Sequence, residues 1–278
     1  MKKALCIGIN HYGIPNSDLN GCVNDISTLQ GILTSRFGFA TENITTLLND
    51  KATTNNIKTE LSKLVMGAVA GDTIVFQYSG HGSSIPDTSG DEIDKLDEII
   101  CPYDLNWTTN MVKDDDLYTV FKNVDPQVQL LVILDSCHSG SMLRLMNIPT
   151  KKSKYLVPKY IRPPYEVFEK MKSSIYDNDA AMASSIIRNR KKKESFNVRN
   201  GILLSGCQSN QTSADAFVDK KYQGAFTFAL AKVLAQNNYS ITYKDLAVKI
   251  NALLDSLHYE QNPQLECPDC WLNKKFLG

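Results

Sequence analysis

Two rhythms of apolar residues alternate along the chain. "KALCIGIN" (Lys3–Asn10) is a nearly unbroken apolar run and reads as a buried strand. Within Cys22–Phe37, residues Val23, Ile26, Leu29, Ile32 and Leu33 recur at the spacing of one helix face, and Gly38 stops that helix. "NITTLLND" (Asn43–Asp50) reads as a second strand, and Ile57, Leu61, Leu64, Val65 and Ala68 form the apolar face of a second helix. "DTIVFQYSGHG" (Asp72–Gly82) and Leu130–Leu134 read as a third and a fourth strand, and "GILLSGC" (Gly201–Cys207) as a fifth. Helices are expected near Ala225–Ala235 and Tyr243–Leu257, with a last strand near Pro263–Leu265. Strand alternating with helix predicts a mostly parallel sheet covered on both faces. In such sheets ligands bind beyond the carboxyl ends of the strands. His81 and Cys137 both stand at such ends, so they are expected to share one rim.

The middle of the chain breaks the rhythm. Ile148 to Arg199 is rich in Lys and Arg, holds several prolines and contains "RNRKKKES" (Arg188–Ser195). Its patterning fades, which predicts a mobile or loosely packed insertion far longer than an ordinary connection.

Composition narrows the class. A chain of 278 residues suits one large α/β domain or two small ones and buries a core without staples. The formal net charge is zero, so no overall field draws the chain to nucleic acid or to a membrane surface. No apolar run approaches the roughly 20 residues that a membrane span needs. "MKKALCIGIN" makes a poor signal peptide, because its apolar run is short and no small-residue cleavage site follows. The seven cysteines are odd in number and scattered, which argues for reduced thiols. These features together predict a cytoplasmic protein.

The candidate chemistry lies in "LVILDSCHSG" (Leu131–Gly140), where a hydrophobic strand is aimed at a cysteine. A thiol attacks a carbonyl as thiolate, which is scarce at neutral pH without help. His138 is adjacent, but neighbouring side chains in an extended turn point apart, so His81 in "YSGHGS" is the better partner. The amides of Gly82 and Cys137 are placed to cradle a developing oxyanion. A cysteine after a strand is more often a small buried hydrophobe, and Gly-His-Gly is more often a turn. Two such sites at parallel strand ends make coincidence a poor account.

These segments resemble those of a caspase-fold cysteine peptidase, and more narrowly a metacaspase. "YSGHG" is similar to the family's His motif and "DSCHSG" to its Cys motif. "GCVNDI", "LDEIICPYD", "SGCQSNQTSADA", "GAFTFAL" and "NPQL" follow in the family's order, covering roughly 1–148 and 200–278. The resemblance implies a caspase-like three-layer α/β/α sandwich. Residues 1–148 would form a large-subunit-like catalytic region, 149–199 a basic linker, and 200–278 a small-subunit-like region completing the same domain. No long N-terminal prodomain is expected ahead of the first strand. Cys137 would be the nucleophile and His81 the proton donor to the leaving amine, without a tight ion pair at rest.

The resemblance also implies a specificity pocket made by Asp25, Asp135, Ser79 and Cys22. Asp135 and Ser79 lie two residues before Cys137 and His81, on the same side of their strands. For Asp25 alone, a helix-terminal carboxylate is the plainer reading. An acidic pocket favours Arg or Lys and rejects Asp. Protein or peptide substrates with Arg or Lys are therefore expected, with no nucleic acid, no membrane and a monomeric enzyme.

Carboxylates crowd residues 87–116, a composition that suits calcium or a solvated acidic loop. By resemblance the ligands would be Asp97, Asp114 and Asp115, but Arg144 stands where calcium-dependent members carry a further Asp. Calcium is thus an expected activator, and no organic cofactor is expected. For the basic run, self-processing is the preferred reading, with Arg188, Arg190 and Lys193 among the candidate cut sites. A solvated loop and a nucleic-acid or nuclear-localisation patch remain alternatives. "CPDC" (Cys267–Cys270) has metal-ligand spacing but no second pair, so it reads as structural or incidental. The rival functions are a catalytically silent caspase-fold binding module and a related cysteine hydrolase of other specificity.

Overall fold

The computed structural model describes residues 1–87, 96–137, 156–171, 201–208 and 211–278. Its centre is a six-stranded sheet in the order β12-β9-β7-β3-β1-β2. These strands are β1 (Lys2–Gly8), β2 (Ile44–Leu48), β3 (Thr73–Ser79), β7 (Gln129–Asp135), β9 (Ile202–Ser205) and β12 (Gln264–Glu266). All neighbours pair in parallel except β12, which runs antiparallel to β9. Every residue of β3 and β7 is buried, as expected for central strands covered on both faces.

The two faces separate by alternation along each strand. Leu5, Ile7, Phe76, Tyr78, Val132 and Leu134 pack toward helices α2 (Thr54–Val65) and α3 (Asp114–Phe121). Ala4, Cys6, Val75, Leu131, Ile133 and Leu204 pack toward α1 (Cys22–Phe37), α4 (Ala225–Gln236) and α5 (Tyr243–Ser256). A short helix α6 (Asp269–Leu272) follows β12. The expected sandwich with a mostly parallel sheet is therefore what forms.

Helix α1 begins and ends where the pattern places it. Gly38 takes the left-handed conformation (φ 67°) and its amide returns to the Leu33 carbonyl, closing the last turn. The buried face differs in one respect: Val23 is only half-buried, while the charged Asp25 is fully buried.

Two small antiparallel sheets sit over the carboxyl ends of the central strands. One is β4 (Gly82–Pro86), β5 (Leu96–Ile100) and β6 (Val112–Lys113). The other is β8 (Leu156–Pro158), β10 (Ala214–Val218) and β11 (Lys221–Gly224), in the order β11-β10-β8. The single strand expected over Asp72–Gly82 is thus β3 followed by β4, with the chain turning at Gly80 and His81. The expectation of loose packing from Ile148 to Arg199 fails over residues 156–171, where β8 is paired and a helical turn covers 165–171. The candidates Arg188, Arg190 and Lys193, together with Arg144 and His138, lie outside the described residues.

Candidate active site

The site forms where the strand order reverses. From β1 the chain goes through α1 to β2 on one side, then crosses through α2 to β3 on the other. That switch opens a crevice beyond the strand ends. The start of α1 enters it with Cys22 and Asp25. The ends of β3 and β7 enter it in register, since Ser79 pairs with Asp135. His81 and Cys137 each follow that pair by two residues, so the shared rim read from the sequence is the one observed.

Two tyrosines hold His81. Its backbone amide donates to the Tyr12 hydroxyl at 2.8 Å, and the rings lie with centroids 4.9 Å apart. The Tyr78 hydroxyl lies 2.6 Å from the His81 carbonyl oxygen. Gly80 is needed here, because a Cβ would come within 2.6 Å of both tyrosine hydroxyls. Ring atom Nε2 lies 2.7 Å from the Ser17 carbonyl, which only accepts, so Nε2 carries a proton. Among the described residues, buried Nδ1 has no hydrogen-bond partner. Burial pushes the imidazole down to about 4, against the carbonyl of Ser17, which favours the charged form. The ring is thus neutral at physiological pH, with Nδ1 free to accept a proton.

Cys137 is completely buried. Its thiol lies 3.3 Å from the Ser213 carbonyl, and the Ser213 amide donates to Sγ at 2.6 Å. Burial holds the thiol well above its ordinary value, and the adjoining Cys207 adds to this. At rest the pair is neutral thiol and neutral imidazole.

The pocket beside them is a buried ionic cluster. Asp135 accepts from the Ser213 hydroxyl at 2.7 Å and from the Thr227 hydroxyl and amide at 2.6 and 3.1 Å. Asp25 accepts from the Ser79 hydroxyl at 2.7 Å and from the Gly224 amide at 2.8 and 3.0 Å to its two oxygens. Burial raises the Asp25 carboxyl to about 6. Cys22 is buried against this group, and its thiol is raised chiefly by burial. The four residues expected to form the pocket are therefore together.

What the sequence reading missed is the occupant. The Lys159 ammonium lies 3.1 Å from Asp25, 3.1 Å from Asp135 and 2.9 Å from the Ser79 hydroxyl, and its side chain is 0% exposed. Its carbonyl oxygen accepts from the Gly82 amide at 3.0 Å and from the Cys137 amide at 3.2 Å. These are the two amides expected to hold an oxyanion. Burial alone would lower the Lys159 ammonium, but Asp135 and Asp25 overcome it and hold it well above its usual value. The available signal was a lone Lys within the apolar "YLVPKYI", inside a segment otherwise crowded with cations. Asp215, on β10, was also missed as a site residue. It is buried, its Oδ2 accepts from the Asn20 amide at 2.6 Å, and it adds negative potential at Lys159.

The acidic segment is assembled differently from a simple calcium cage. Lys113 lies 2.5 Å from Asp97 Oδ2, while among the described residues buried Asp97 Oδ1 has no hydrogen-bond partner. Burial raises the Asp97 carboxyl to about 6, and Asp87 and Asp114 nearby raise it further against Lys113. Asp115 sits with Asp114 in the first turn of α3. Among the described residues, no group of three or more His, Cys, Asp or Glu side chains is arranged to hold a metal ion.

Comparison with solved structures gives the class first. Caspase-1 from Spodoptera frugiperda superposes with a TM-score of 0.57 at 12% identity, covering 96% of this chain and 86% of that one. At that identity the likeness speaks for a caspase-like fold. Protein GSU0716 from Geobacter sulfurreducens superposes with a TM-score of 0.69 at 29% identity, over 99% and 97% of the two chains. The family follows from sequence. Residues 2–146 match the family described as "Metacaspase, peptidase C14 domain". Metacaspase-1B of Aspergillus oryzae is 33% identical over 96% of this chain and 67% of its own length. Metacaspase-1 of Scheffersomyces stipitis is 31% identical over 96% and 70%. The chain belongs to the metacaspase family, and with it to the cysteine-type peptidases. Among the described residues, no helix is long and apolar enough to cross a membrane.

Proposed function

We propose that the chain is an endopeptidase that cuts after Arg or Lys, with Cys137 as nucleophile and His81 as proton carrier. The observation that supports the basic preference is the cation in the pocket. An ammonium stands 3.1 Å from each of two buried carboxylates, with its own carbonyl on the Gly82 and Cys137 amides. Two buried carboxylates without a cation between them repel each other in a medium that screens poorly. An Arg or Lys side chain relieves that repulsion, and an Asp side chain deepens it.

In the reaction, His81 Nδ1 takes the thiol proton as Sγ adds to the carbonyl carbon before the cut bond. The amides of Gly82 and Cys137 stabilise the oxyanion, each donor being worth about 3 kcal/mol of barrier in such sites. Nδ1 returns the proton to the leaving amine. Water then hydrolyses the thioester, with His81 again accepting a proton. Burial keeps the thiol and the imidazole neutral at rest, so proton transfer belongs to the attack itself.

Calcium is proposed as an activator. Asp97, Asp114 and Asp115 would hold it, and an ion there would sit beside the buried Asp97 Oδ1. Calcium is then expected to raise the melting temperature and a chelator to lower it, independently of turnover.

The test is turnover of fluorogenic peptides ending in Arg, Lys, Asp or Asn, by the native chain and by Cys137→Ala, with calcium or chelator. Cleavage after Arg and Lys alone, absent in the variant, is expected. Preferential cleavage after Asp or Asn would overturn the specificity. No turnover by a folded chain under any condition would favour the binding-module reading.

A further inference from the structure

The cleft holds a stretch of this chain in the pose of a substrate. Strand β8 runs antiparallel to β10, with Pro158 opposite Ala214, Val157 opposite Asp215 and Leu156 opposite Ala216. The Lys159 amide donates to the Ser213 carbonyl at 2.9 Å. Beyond the lysine, Tyr160 bridges to Gly82, and the Ile161 amide donates to the Gly82 carbonyl at 3.1 Å. The backbone is thus clamped on both sides of the Lys159–Tyr160 peptide bond. The Lys159 carbonyl is polarised by two amides, one of them the amide of the nucleophile itself. A salt bridge for fold stability alone would not need the carbonyl in that position, and a buried ion pair is a poor stabiliser in any case.

We propose that the Lys159–Tyr160 bond is this enzyme's self-processing site, and that until it is cut residues 156–161 block the cleft as a tethered substrate. The inference rests on the Arg/Lys-peptidase reading of the same site and names the bond that reading leaves open. It replaces Arg188, Arg190 and Lys193 as the expected cut sites. In the step, Cys137 Sγ bonds to the Lys159 carbonyl carbon and the C–N bond to Tyr160 breaks. The thiol proton passes through His81 to the new amine of Tyr160. Water then adds to the thioester, giving the Lys159 carboxylate and restoring the thiol. The resting thiol points its proton at Ser213, so the docked pose is a latent one in which attack waits on a turn of the Cys137 side chain. Because enzyme and substrate are one chain, processing is first order and its rate does not depend on protein concentration.

The occupant also describes the substrates that follow it. Pro158 has no amide to donate, and Val157 and Leu156 are half-buried, so Val-Pro-Lys is the natural probe.

The experiment follows the full native chain, Cys137→Ala, Lys159→Arg and Lys159→Gln by intact mass and N-terminal sequencing, beside hydrolysis of a fluorogenic Val-Pro-Lys peptide. The expected product begins Tyr-Ile-Arg, from Tyr160. It appears in the native chain and in Lys159→Arg, and is absent from Cys137→Ala and Lys159→Gln. Peptide hydrolysis in the native chain is expected to rise at least tenfold as that product accumulates. Because the native chain carries the primary readout, misfolding of Lys159→Gln would not spare the proposal. Full peptide hydrolysis by a native chain whose 159–160 bond stays intact would overturn the inference and leave the peptidase reading standing. So would fragments beginning only at Asn189, Lys191 or Glu194. A folded native chain that hydrolyses no Arg or Lys peptide would overturn the reading beneath it, and the inference with it.

Discussion

Asp25 shows how a single residue carries two messages. Helical periodicity assigns the buried face of α1 to apolar residues, yet this carboxylate is fully buried on it. A charge there is tolerated only where partners compensate it. Its partners are Ser79, Gly224 and Lys159, far away in sequence, so spacing alone could not supply them. The resemblance placed Asp25 in a pocket; the structure adds what faces it. Tyr12 carried no chemical signal at all, although it receives the His81 amide. Tyr12→Phe leaves that buried donor unpaired, at a cost of about 1–3 kcal/mol. The expected result is a lower kcat at nearly constant KM, measured on Val-Pro-Lys peptides. His81 itself sets a pH signature. Its imidazole is depressed to about 4, below the ordinary 6.5, so the folded state binds fewer protons than the unfolded state between those values. Its contribution to stability is full above 6.5 and is lost as pH falls toward 4. Asp25 and Asp97, both raised to about 6, work in the opposite sense, because the folded state takes up their protons first. Denaturant unfolding of the native chain and His81→Gln isolates the histidine. The variant is expected to gain stability relative to the native chain as pH drops from about 6.5 to 4.

At the scale of elements, the parallel core was legible because alternation, length and glycine stops agree along β1, α1, β2, α2, β3 and β7. The two small sheets were not. Strand β5 adjoins a stretch dense in acids, and the residues between it and its partner β4 lie outside the described ones. The β10–β11 hairpin turns at Asp219 and Lys220, both with positive φ, where a glycine would have announced it. Strand β8 was hidden by its cationic surroundings. Its own residues are apolar, but β10, with which it pairs, lies beyond the basic run. Gly224, between β11 and α4, is an element boundary with a defined role, since a Cβ there would run into Asp135 and the Lys159 ammonium. Gly224→Ala is expected to cost roughly 1–3 kcal/mol of stability and to lower turnover of basic peptides much more than proportionally. A thermal melt beside a peptide assay checks both. In the core, Phe76→Ala on β3 is expected to cost about 3–5 kcal/mol, read from denaturant unfolding.

The whole molecule has no net charge, yet it concentrates negative charge at one strand-order reversal. Asp25, Asp135 and Asp215 converge there from α1, β7 and β10. Folding creates that potential by joining segments from both ends of the chain, and Lys159 from the middle offsets part of it. In the proposed reading, paired buried carboxylates select a cationic side chain ahead of the cut bond. Its most direct test compares kcat/KM for a Val-Pro-Arg peptide with that for its neutral isostere containing citrulline, in the native chain after processing and in Asp135→Asn. Losing one partner of a buried ion pair costs about 3–5 kcal/mol, so the native preference for Arg is expected to reach about 10²–10⁴-fold and to collapse toward tenfold or less in the variant. Equal turnover of the two peptides by the native enzyme, or an undiminished preference in Asp135→Asn, would contradict it.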